Sequence, residues 1–179
     1  MPKRIHIPAT NDLWDEEKSE FFSIKEQTLV IEHSLLSISR WEQEWKKSFI
    51  STEDKTYAEL KSYIKYMTLN QVNEKVYDVL PAEALKEIED YISDPMTATT
   101  ITTAIPAKQK HVSKVVTAEE IYYKMISYGI PIEFEKRHVN HLIALIRVFD
   151  VYNSGTGTMS SREAALFQRS LNEKRRRKR

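Results

Sequence analysis

The chain has 179 residues, no cysteine, only three glycines and a net charge of +1. A chain of that length can bury a core without staples, and the lack of cysteine removes disulfides, thiolate metal sites and thiol nucleophiles. Gly129, Gly155 and Gly157 are too few and too poorly placed for a Walker loop or a dinucleotide fingerprint. The charge is also uneven: the last six residues, Lys174 to Arg179, are all basic, and without these six positive charges the +1 chain would carry −5.

No apolar run approaches the ~18 residues of a membrane span, and the opening MPKRIHIPATNDLWDEE has no apolar core of the secretory kind. In that opening, Ile5 and Ile7 alternate as in a short strand that Pro8 ends. NDLWDEE reads as a turn. From Phe21 to Glu32, the alternations Phe22/Ile24 and Leu29/Ile31 suggest a strand or bent hairpin. The period then changes. Leu35, Ile38, Trp41 and Trp45 fall on one helical face behind Ser34, a natural cap.

Thr56 and Glu59 have capping-box spacing, and Leu60, Ile64 and Met67 form the stripe that follows. A short turn over Val76 to Leu80 precedes a helix that opens on Pro81, carries Leu85, Ile88 and Ile92, and ends at Asp94-Pro95. Next come Thr97, Thr99, Thr100, Thr102 and Thr103, then the β-rich HVSKVVT, with AIPAKQK between them. β-branched residues suit a pleated surface, so a hairpin is favoured over a phosphate site, for which glycines are lacking. Thr117 and Glu120 give another capping box, for a helix that Gly129 and Pro131 stop. The longest helix is expected over about 133–152, with Val139, Leu142, Ile143, Ile146 and Phe149 as its stripe. NSGTGTM reads as a linker, and Ser160 with Glu163 starts a weakly apolar last helix before the basic run.

This adds up to an α+β fold, mainly helical, with a small antiparallel sheet or hairpin. Residues 1–153 are expected to form one domain, and 154–179 a linker, C-terminal helix and basic tail. The one metal-like spacing is Glu135, His138 and His141, three apart on the expected helix. A di-iron site needs two such units, so a solvated or boundary face is the favoured reading. Trp41 and Trp45 are read first as core and second as partner anchors. The basic residues Lys174, Arg175, Arg176, Arg177, Lys178 and Arg179 have three readings: a solvated end, a contact for an acidic protein surface, or a nucleic-acid contact. No catalytic set emerges, and no cofactor is expected.

The segments LWDEEKSEFFSIKEQTLVIEHSLLSISRWEQEWKKSFI, YIKYMTLNQV, YISDPMTATTIT and IYYKMISYGIPIEFEKRHVNHLIALIRV resemble a family of small proteins of tailed bacteriophages, the tail assembly chaperones. The resemblance covers Leu13 to Glu163. It implies a non-enzymatic protein of the host cytoplasm that binds the long helical tape measure protein while tail subunits polymerise around it. Some family members are made in two lengths by a ribosomal frameshift. The resemblance brings no residue-level binding motif. A structural virion component, such as a head–tail or baseplate adaptor, is the alternative, and a nucleic-acid-associated protein the third.

Overall fold

The structure, a computed structural model, describes residues 1–15, 20–52, 54–99 and 115–153. The fold is α+β and mainly helical. It begins with a long, interrupted hairpin of four strands: β1 (Lys3–Ile7), β2 (Thr10–Asp15), β3 (Glu20–Ile24) and β4 (Gln27–Ile31). β1 pairs antiparallel with β4, and β2 with β3. Pro8 lies between β1 and β2 and lacks the N–H a continuous ladder would use. Of NDLWDEE, residues 11–17, expected as a turn, residues 11–15 belong to strand β2. Across an antiparallel ribbon Trp14 faces Phe21, and the register slips between Thr10 and Leu13.

The base of the hairpin is set by alternation. Ile5 and Ile7 of β1 and Leu29 and Ile31 of β4 are buried, while Arg4, His6 and Thr28 face out. The second edge of β4 is closed by the chain after the second helix. Leu69 N–H donates to the Val30 carbonyl at 2.8 Å. The Asn70 amide takes the Val30 N–H and returns a bond to the Thr28 carbonyl, both at 2.8 Å. With the Glu32 N–H donating to the Met67 carbonyl at 3.0 Å, residues 67–70 thus cover the outer edge of β4 in place of a further strand.

Helix α1 (Leu35–Trp45) starts at Ser34, whose hydroxyl accepts the Ser37 N–H while Ser37 takes the Ser34 N–H. Helix α2 (Tyr57–Met67) starts on the expected Thr56–Glu59 box. The Lys47 ammonium at 2.6 Å, with the Thr56 N–H, holds the Glu59 carboxyl down at about 2. The two helices pack together. Trp41 Nε1–H donates to the Glu59 carbonyl at 2.8 Å, and Trp45 Nε1–H to the Ser62 hydroxyl at 3.2 Å. After a 3-10 turn at Glu74–Asp78, α3 (Ala82–Ser93) lies against β1 and buries Ala84, Ile88 and Tyr91.

Helix α4 (Ala118–Ser127) ends as expected. Gly129 has φ +64, its N–H bonds the Ile126 carbonyl, and Ile130 N–H bonds that of Met125. This is the paired closure that a left-handed glycine permits. Its start differs from expectation, because the Thr117 side chain makes no cap bond. The Ala118 N–H, the first of the helix, donates to Glu42 Oε2 of α1 at 2.7 Å, while Glu42 Oε1 accepts the Phe49 N–H at 2.8 Å. Burial pushes the Glu42 carboxyl up despite these two bonds. A carboxylate that satisfies two distant backbone amides ties the 46–52 loop and α4 to α1.

The helix expected over 133–152 is broken. Ile132–Lys136 is a 3-10 turn, Arg137 is extended, and α5 runs from Val139 to Asn153. The cause is tertiary: His138 bridges Ser34 in strand-like fashion, and Val139 N–H donates to the His33 carbonyl at 2.7 Å. Of the threonine hairpin, residues 100–114 lie outside the described residues. Thr97, Thr99, Val115 and Val116 are irregular rather than strand. Residues 154–179, with the expected linker, last helix and basic tail, also lie outside them. One apolar cluster takes in side chains from β1 through α5. Among the described residues, no helix is long and apolar enough to cross a membrane.

Candidate functional site

Two places concentrate unusual chemistry. The first is a buried polar joint where β4 runs into α1. Glu32, His33, Ser34 and Ser37 are all buried there, together with Tyr63 of α2, Tyr91 of α3 and His138. His33 Nδ1 and the Tyr63 hydroxyl form a short hydrogen bond. The Tyr91 hydroxyl donates to Glu32 at 2.7 Å. The His33 and His138 rings meet edge to face at 5.0 Å, and Tyr91 and His138 at 4.9 Å. His138 Nε2–H donates to the Tyr91 carbonyl at 3.0 Å, while Nδ1 lies 3.3 Å from the Asn140 N–H.

Burial, then the neighbouring His138 and Lys55, lowers the His33 pKa to about 3. Burial also lowers that of His138, with the Tyr91 carbonyl, Glu32 and Asp94 pulling the other way. Tyr63 and Tyr91 are pushed far above the ordinary phenol range, chiefly by burial. Among the described residues no buried side-chain nitrogen or oxygen lacks a partner. The joint is a satisfied network, of the kind that fixes one arrangement of elements. Beside it, a cavity of about 370 Å³ lies between the chain start and the end of α3, lined by Met1, Lys3, Glu87, Asp90, Tyr91 and Asp94 among others.

The second place is the outer face. Trp14 and Phe21 form an edge-to-face pair at 5.0 Å on the β2–β3 ribbon, yet are 52% and 69% exposed. Phe22, on the opposite face, lies under the Lys75 ammonium at 4.2 Å, and Ile24 enters the core. Helix α4 adds Tyr123 and Ile126, three apart on its outer side and both largely exposed. Large apolar side chains held out in this way usually mark a contact surface.

The residues singled out from the sequence fare differently. Trp41 is wholly buried between α1 and α2, so it is core and unavailable as a surface anchor in this fold. Trp45 is half-buried and stacks on Trp41 at 6.3 Å. Glu135, His138 and His141 do not share a helical face, because the chain leaves the helix between them. Glu135 accepts the Tyr122 hydroxyl at 2.8 Å, and His138 turns inward to Tyr91. They form no ligand set. Among the described residues no group of three or more His, Asp and Glu side chains is placed to hold a metal ion. Lys174 to Arg179 lie outside the described residues.

Sequence reasoning missed both places. For the arm a signal existed: neighbouring Phe21 and Phe22 must point to opposite sides of a strand, so a two-stranded ribbon exposes one of them. For the joint there was none, since its members come from four separate segments. Comparison with protein-family models, with curated proteins and with solved structures finds no match to this chain.

Proposed function

We propose that the protein is a non-enzymatic assembly factor, a phage tail assembly chaperone that covers apolar stripes of the tape measure protein in the host cytoplasm. The observation that carries the reading is the Trp14–Phe21 pair, held out on a ribbon whose base is anchored in the core. Aromatic rings of this kind dominate the energetics of protein contacts. Tyr123 and Ile126 present a second apolar strip with helical spacing, suited to packing beside a partner helix. The choice of partner rests on the resemblance of residues 13–163 to tail assembly chaperones. The buried joint supports the reading from the other side, since its acids, imidazoles and phenols are spent on one another.

Co-expression with a long helical phage tape measure protein, followed by pull-down, tests the proposal. A complex is expected, with more soluble tape measure protein, and the double variant Trp14→Ala/Phe21→Ala should lower its yield several-fold while remaining folded. Failure of the unaltered chain to form a complex or raise solubility overturns the reading. So does its presence at fixed copy number in purified particles by mass spectrometry, which would make it an adaptor.

A further inference from the structure

The sharpest unused feature is the pair of histidines at the joint. His33 ends the N-terminal hairpin, and His138 stands at the entry to α5. Between them run the Ser34–His138 bridge and the 2.7 Å bond from Val139 N–H to the His33 carbonyl. Both imidazoles are 4% exposed. We propose that the His33–His138 contact is an acid-operated joint, at which proton uptake by the two rings releases the start of α5 from β4 and α3.

Geometry sets the direction. His138 donates from Nε2 to a carbonyl, which leaves Nδ1 as the acceptor facing the Asn140 N–H. A second proton must go to Nδ1, where it meets that donor head-on. Around His138 stand Tyr91 of α3, the carboxylates of Glu32 and Asp94, and the chain's terminal amine, so the acids shelter one positive charge there. Around His33 stand Tyr63 of α2, the ring of Phe49, Lys55 before α2, and His138 itself, and the two charged neighbours it acquires are cations. Once His138 is charged, a proton on His33 faces a like charge across a 5.0 Å ring contact. Tyr91, whose edge abuts His138, also lines the cavity beside the chain start, so the joint sits one side chain from that cavity.

Because both rings are less basic in the closed form than when free, the closed form is favoured above pH 6.5. It loses ground as pH falls toward the folded His33 value of about 3. Each ring that is neutral when closed and charged when open weakens closure about tenfold per pH unit in that window.

Hydrogen exchange on the full chain from pH 7.5 to 4, corrected for intrinsic rates, reads this directly. The Val139 and Leu142 amides should lose at least tenfold protection per pH unit below 6, before the amides of α1 and α2. In the double variant His33→Asn/His138→Gln, which keeps amide donors but cannot be charged, that slope should flatten. Should the variant fail to fold, the histidine C2–H resonances of the unaltered protein decide: both should titrate below 6.5, His33 far below it. Loss of α5 protection only together with α1 and α2, an unchanged slope in the folded variant, or either ring titrating at its free value overturns the proposal.

Discussion

The two halves of the N-terminal hairpin share one chain and one pairing pattern, yet do opposite things. In the base, β1 and β4 are closed in by α3 on one side and by residues 67–70 on the other, and their apolar side chains vanish into the core. In the arm, β2 and β3 carry two aromatic rings outward. The difference is one of cover. An alternating ribbon has two faces, and a face becomes interior only where other elements cover it, as they cover the Ile5, Ile7, Leu29 and Ile31 face of the base. A two-stranded ribbon alone is marginal, so the base anchors the arm, and the arm spends its apolar area where a partner can reach it.

The largest expected effect falls on the base. Leu29→Ala should cost about 2–5 kcal/mol in urea unfolding, because a buried leucine leaves both transfer energy and a void behind. An equal loss from Phe21→Ala would break the comparison. The Glu42 clamp comes next. Glu42→Gln keeps the shape but sets an amide donor against a backbone N–H, at either Phe49 or Ala118. It should cost about 1–3 kcal/mol, and exchange of the Ala118 amide should rise before that of α2. The smallest effect on stability belongs to the arm. Phe21→Ala removes an exposed edge-to-face pair, worth no more than about 1.5 kcal/mol. Its consequence should appear in partner capture instead, which sharpens the contrast.

Much of the scaffold was legible because its determinants are local. Ser34, the Thr56–Glu59 box, Gly129 and the alternation of Ile5, Ile7, Leu29 and Ile31 act on neighbours in sequence, so spacing reveals them. The failures have a common cause. Residues 11–15 have the composition of a turn but pair as a strand because β3 lies opposite. Thr117 looks like a cap, yet its side chain makes no cap bond, and the first amide of the helix is held by Glu42, far away in the chain. Arg137 and His138 fall within the expected helix, but the backbone of His33 and Ser34 draws His138 and Val139 into strand-like pairing. The same bridge dissolves the apparent ligand set of Glu135, His138 and His141, whose spacing has meaning only on an unbroken helix.

The sequence by itself determined the class of fold, most helix starts and stops, and the apolar faces, since these follow from periodicities of two and 3.6 and from side chains that bond their own backbone. Only the tertiary structure decided which buried polar groups meet and which apolar groups stay outside. Both depend on contacts between segments far apart along the chain: four of them converge on the joint at His33 and His138, while Trp14 and Phe21 are left uncovered. Burial, moreover, belongs to an arrangement of elements rather than to any residue.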